Sequence, residues 1–218
     1  GSVTAEHDGH EVPLGAPRQR AVLAMLALAP GRVVGTDHLV DGLWGEEPPR
    51  QPLASLQVYV HGLRKAFESA GAGAAILVSR APGYLLDLPA SAVDIGGFEA
   101  LWDRSRAASR SGDLPGARRL LDEALAVWRG PALSDLRGYS FAEATVAGLD
   151  EAHVAATEDR LDLLLALGEH AKVVAEVEGL VRAHPTRERL WGQLMLALYR
   201  ADRQADALSA YARARDRL

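Results

Sequence analysis

The 218-residue sequence contains no cysteine, which excludes disulfides and thiolate chemistry and fits a reducing compartment. It also lacks a long hydrophobic run. The best candidate, AVLAMLALA at residues 21–29, is nine residues long, against the roughly 20 needed to span a bilayer, and reads as a buried helix. No basic start followed by an apolar core marks the chain for export, and these absences together predict a cytoplasmic protein. An excess of positive charge is missing too: 24 Lys and Arg stand against 29 Asp and Glu, for a formal net charge of -5. Up to Val93 there are seven basic and nine acidic residues, so neither half is a basic domain. That weighs against nucleic acid as a partner, although a small reader need only gather a few cations on one face.

The usual signatures of catalysis are equally sparse. No glycine-rich loop ends in Lys-Ser or Lys-Thr, and the Gly71 to Gly73 stretch lacks the strand-to-helix context of a phosphate cradle. His7 and His10, with Asp8 and Glu11 nearby, read as a solvated turn, and His38, His153, His170 and His184 are scattered without zinc-like spacing. The carboxylates of Asp150-Glu151 and Glu158-Asp159 lie near Arg160 as an ordinary ionic face. The sequence therefore points to a protein that is not an enzyme and has no cofactor or metal site.

What is present is 48% apolar residues, rich in Ala and Leu, over a length comfortable for two domains. The first half is mixed. Val3 to Ala5 and Glu11 to Leu14 can pair as a hairpin around His7-Asp8-Gly9, where Asp-Gly tolerates the positive φ of a tight turn. Ala16 to Leu28 reads as a helix with Pro17 in its first turn, and Arg32 to Gly35 as extended chain. Thr36 is a candidate N-cap for a short helix, Asp37 to Leu43. The loop GEEPPRQP, residues 45–52, cannot continue that helix because its prolines remove donors. A long helix follows over residues 53–68, and then two strands within residues 76–88 flank Ala81-Pro82-Gly83. This order predicts a winged helix-turn-helix over residues 1–93.

From Asp94 the pattern is helical only: 95–109, 114–128, 139–167, 170–183, 187–200 and 204–218, separated by short turns. Ala207, Tyr211 and Ala214, with Trp191 and Leu194 upstream, have tetratricopeptide spacing. Ala117, Leu121 and Ala124 repeat the small-large-small pattern, and Val173, Val177 and Leu180 form a degenerate copy. Residues 94–218 are thus predicted to be an all-helical, tetratricopeptide-like domain offering a surface for protein contacts. The leading Gly1-Ser2, and a helical pattern still running at Leu218, read as a piece of a longer chain.

On a helical wheel of the long helix, Leu56, Val60, Leu63 and Phe67 share one narrow sector, with Leu53 at its edge. Opposite lie Ala54, Val58, His61, Gly62 and Lys65, with Gln57 and Arg64 on the shoulder. Such a face can enter a major groove about 12 Å wide. Val58 can touch a thymine methyl, Gln57 and His61 can bond base edges, and Arg64 and Lys65 can reach guanine or phosphate. Arg80 stands beside the tip of the predicted wing, where it can grip phosphate or enter the minor groove, while Tyr84 fits packing against the hairpin. Arg50, Arg18 and Arg20 sit near helix starts and can reach the DNA backbone. The alternative is an ordinary surface helix with solvated cations.

The motifs LGAPRQRAVLAMLALAPGRVV (14–34), DHLVDGLWGEEPP (37–49), LQVYVHGLRKAF (56–67), RAPGYLLD (80–87), ALAVWRGPALSDL (124–136) and RERLWGQLMLALYRADRQADALSAYARARDRL (187–218) occur in order. Together they resemble the antibiotic regulatory proteins of actinomycetes, which join a response-regulator-type winged helix to a bacterial transcriptional activation domain. The resemblance covers nearly the whole chain. It implies a cytoplasmic activator that binds promoter direct repeats as side-by-side dimers, places residues 53–68 in the major groove, and recruits RNA polymerase holoenzyme. It further implies that Glu46, Glu47 and Arg50 in the 45–52 loop contact the polymerase, and that the regulated genes make secondary metabolites. The chain departs from the family where His61-Gly62 replaces a usual arginine, which alters the expected base readout. The rival reading is a tetratricopeptide-like interaction scaffold whose winged helix is degenerate.

Overall fold

The computed structural model describes all 218 residues as nine α-helices and five short strands. Two compact units emerge, one formed by 1–99 together with 127–151, the other by 100–126 together with 152–218. The expected division at residue 93 differs from this one, because residues 127–151 pack with the winged helix. Leu136 and Ala142 are buried in the same core as Leu26, Leu39 and Leu63. Asp135 ties the segment down through Arg20.

In the first unit, β1 (Glu6–His7) and β2 (His10–Glu11) form a hairpin tighter than the predicted one. Asp8 and Gly9 both take positive φ, 50° and 77°, and this two-residue turn sets the register Glu6 to Glu11 and His7 to His10. The expected outer residues still meet once, where the Val12 amide donates to the Ala5 carbonyl at 2.8 Å. Helix α1 (Pro17–Ala27) begins with proline in its first turn, where no amide hydrogen is needed, and buries Ala21 through Leu26.

A three-stranded antiparallel sheet has the order β3 (Val34–Gly35), β5 (Gly83–Leu86), β4 (Leu77–Arg80). Gly83 is required by close approach: a Cβ there would lie 1.8 Å from the Val34 carbonyl oxygen. Helix α2 (Thr36–Trp44) starts one residue earlier than expected. Thr36 is its first residue and not its N-cap, and its amide and hydroxyl both donate to the Pro82 carbonyl, at 3.1 and 3.3 Å. The wing tip is thereby pinned to the start of α2.

Helix α3 (Pro52–Ser69) lays Leu56, Val60, Leu63 and Phe67 into the core, a stripe at spacings of four, three and four. Leu53 falls outside that stripe and is 52% exposed. The beginning of α4 (Asp94–Arg110) also belongs to this unit, as does the beginning of α6 (Ser140–Ala166).

The second unit contains the remainder of α4 and α6 with α5 (Leu114–Ala126), α7 (His170–Ala183), α8 (Glu188–Arg200) and α9 (Gln204–Arg215). Ala117, Leu121 and Ala124 are fully buried, as are Val173 and Val177, so the small-large-small periods do face inward. In α9, Ala214 is buried and Ala207 packs against the core as expected, whereas Tyr211 is exposed and Ala210 takes the inward position. Glu158, almost completely buried, accepts two 2.9 Å bonds from Arg187, which offsets the cost of desolvating its charge. No helix is long and apolar enough to cross a membrane.

Candidate nucleic-acid interface

Helix α3 has one face fixed by its buried stripe, and that choice determines the other. Ala54, Gln57, Val58, His61 and Lys65 are all exposed. Val58 is 66% exposed, an apolar side chain in water on the face opposite the buried stripe. The helix is braced from behind by Trp44 of α2, whose ring lies 6.2 Å from that of Tyr59. These five residues are thus held on a rigid ridge, with hydrogen-bonding, methyl-contacting and cationic groups side by side. That is the chemistry needed to meet base edges and phosphates together.

Three residues sit differently from their expected places. Gly62, expected on the outward face, turns toward α1: a Cβ there would fall 2.2 Å from the Gln19 side-chain amide nitrogen. Its missing side chain makes room for Gln19, whose carbonyl oxygen accepts a 3.2 Å bond from the Ala16 amide at the start of α1. Arg64, expected to reach bases or phosphates, donates from Nε to the Leu77 carbonyl at 2.8 Å and from Nη2 to Ser79 Oγ at 2.9 Å. It ties α3 to wing strand β4. Arg20, expected near the DNA backbone, is ion-paired with Asp135 at 2.7 Å and donates to the Gly15 carbonyl at 2.8 Å. Both arginines found protein acceptors because they stand at the edge of the core, where an unpaired guanidinium would be costly.

The remaining candidates are accessible. Arg80 ends β4 beside the turn, with Gly83 opposite it in the register, and is exposed. Arg18 is exposed on the first turn of α1, and Arg50 on the approach to α3. Glu46 and Glu47 are exposed in the loop between α2 and α3, where the Glu47 amide donates to the Trp44 carbonyl at 3.2 Å. Tyr84 packs against the core as expected. Ser79 and Asp135 went unnoticed in the sequence. Asp135 lies 115 residues from the arginine it orients, and no local pattern connects them.

The chain is similar to known proteins over nearly its whole length. Residues 93–218 match the family model described as bacterial transcriptional activator domain, and residues 9–86 match that of transcriptional regulatory protein, C terminal. The transcriptional regulatory protein EmbR of Mycobacterium tuberculosis is 43% identical over 212 residues, covering 97% of this chain and 55% of that protein. The regulatory protein AfsR of Streptomyces coelicolor is 42% identical over 213 residues, 97% of this chain and 21% of its own length. DnrI of Streptomyces peucetius is 35% identical over 224 residues, 100% of this chain and 82% of that protein. A solved structure of Mycobacterium tuberculosis EmbR, in complex with a low-affinity phosphopeptide, superposes with a TM-score of 0.95 at 42% identity, covering 98% of this chain and 57% of the other. This chain therefore spans little more than half the length of EmbR.

Proposed function

Since this chain belongs to the actinomycete antibiotic regulatory protein family, a winged helix joined to a bacterial transcriptional activator domain, we propose that it is a DNA-binding transcriptional activator. It reads promoter direct repeats with α3 in the major groove and recruits RNA polymerase holoenzyme, acting on genes of secondary metabolite biosynthesis. The observation that carries this reading is the exposed ridge Gln57, Val58, His61 and Lys65 on a helix whose opposite face is fully buried.

In this reading Gln57 and His61 meet base edges, Val58 meets a thymine methyl, and Lys65 meets phosphate. Arg80 of the wing holds the adjoining backbone, Arg18 and Arg50 add phosphate contacts from the starts of their helices, and two copies lie side by side on the repeats. Arg64 and Arg20 support the reader through the wing and the Asp135 anchor. Glu46, Glu47 and Arg50 offer the polymerase a mixed-charge loop pointing away from the core.

The test is fluorescence anisotropy on duplexes carrying paired direct repeats from promoters near the gene, against scrambled duplexes, over a salt series. Submicromolar preference for the repeats, with affinity falling steeply as salt rises, supports the proposal. Equal, weak binding to every duplex tried, together with capture of a protein partner by the helical unit alone, favours the interaction-scaffold reading instead.

A further inference from the structure

The first unit contains a cavity of about 520 Å³ that the DNA-reading geometry does not use. Its walls come from the N-terminal arm, Gly1 to His7, and from five further elements: α1, the C-terminal end of α3, strand β5, the start of α4 and the 127–151 segment. Leu23, Phe67, Leu86, Phe98, Trp128 and Leu133 represent these five elements. Phe98 and Trp128 meet edge to face, with ring centroids 5.5 Å apart, and give the cavity a rigid aromatic corner. The charged residues of the lining are Glu6, Asp94 and Arg129, with the Gly1 N-terminus, whose ammonium donates to the Gly130 carbonyl; Asp94 and Arg129 face one another at 4.0 Å and are both more than half exposed.

We propose that this cavity is a binding site for a small neutral amphiphile, with an apolar ring body inside and a hydroxyl or carbonyl tip at the Asp94–Arg129 pair. Volume and lining both fit: ligand sites are concave, mostly apolar spaces of roughly 300–1,000 Å³ with a few polar groups to fix orientation. The Asp94–Arg129 pair carries no net charge, which suits a dipolar tip and disfavours a bare ion. Phe67 belongs to the same helix as Gln57 and His61, so an occupant touches the back of the reading helix.

The probe is N-phenyl-1-naphthylamine, a neutral aromatic whose fluorescence rises in apolar surroundings, titrated onto the whole chain without DNA. The expected result is saturable binding of one probe per chain, weakened at least tenfold by Ala27→Phe and by Ala72→Phe, each of which places a ring in the cavity. Far-UV circular dichroism and melting establish that each variant is folded. Ala72 lies in the loop after α3, so it carries the test if the helical variant fails to fold. The double variant Leu208→Ser, Tyr211→Ser removes the exposed apolar residues of α9 and is expected to leave the titration unchanged. Non-saturating binding, full affinity in a folded filled variant, or loss of binding in the α9 variant would each overturn the assignment. None of these readouts involves DNA, so the result stands apart from the proposed promoter recognition.

Discussion

Asp135 holds Arg20 and Val3 at once: one carboxylate oxygen receives Arg20 Nε at 2.7 Å, the other the Val3 amide at 3.0 Å. The two side chains are 19% and 26% exposed, so water screens the pair only in part. One carboxylate from beyond the expected domain boundary thus fastens both α1 and the N-terminal arm. Asp135→Ala is expected to cost roughly 1–3 kcal/mol, the range for losing charge-assisted bonds at a partly buried site. Urea denaturation measures it, and an unchanged midpoint at equal slope would remove Asp135 from the account of stability.

Arg64→Ala has a different expected consequence from that of a simple DNA contact. The guanidinium joins α3 to Leu77 and Ser79, so its loss should lower stability by about 1–2 kcal/mol as well as weaken DNA binding. Arg64→Lys should restore little, because an ammonium cannot span two acceptors as the planar fork does. A fully stable Arg64→Ala protein in thermal melts contradicts the buttress role.

Lys65→Ala is the cleaner probe of phosphate contact, since Lys65 is exposed on the ridge. Stability should stay within about 0.5 kcal/mol of the parent. The salt dependence of DNA affinity should flatten by about one contact, with similar losses on every sequence. Gln57→Ala should instead narrow the gap between operator and scrambled DNA. Identical salt slopes for parent and Lys65→Ala remove Lys65 from the interface.

Gly83→Ala should be among the most damaging single changes in the chain. The added methyl meets the Val34 carbonyl at 1.8 Å, and both partners are backbone, so neither can rotate away. Separation of β3 from β5 is expected to cost more than about 3 kcal/mol. Hydrogen exchange at Val34 and Tyr84 reports it directly, and native-like protection of both amides is the result that defeats the prediction.

In the helical unit, Lys172 first, by its hydrogen bond, and Arg118, 2.6 Å away, hold the Glu169 carboxyl below its ordinary range. A folded value below the unfolded one stabilises the fold above the unfolded value, and that contribution fades as pH falls through the folded one. The stability difference between the parent and Glu169→Gln should therefore be present at neutral pH and shrink below about pH 4. Urea midpoints at several pH values check this; a difference that persists undiminished at pH 2 runs against it.

Much of this protein could be read along the chain because its signals are local. The stripe Leu56, Val60, Leu63 and Phe67 needs only helical periodicity, and it places Gln57, Val58, His61 and Lys65 outside without reference to any other element. The Asp8-Gly9 turn, the proline-bounded loop and the helical pattern after Asp94 are legible for the same reason: each is a preference of neighbouring residues. Tertiary structure decided what depends on residues far apart. It assigned Arg64 to the wing, Arg20 to Asp135, and Gly62 to the side of Gln19. It also brought residues 127–151 into the winged-helix unit, where Leu136 and Ala142 complete the core. Periodicity tells which side of a helix is wet, but the partner of a cation at the edge of the core is chosen by packing across the whole unit.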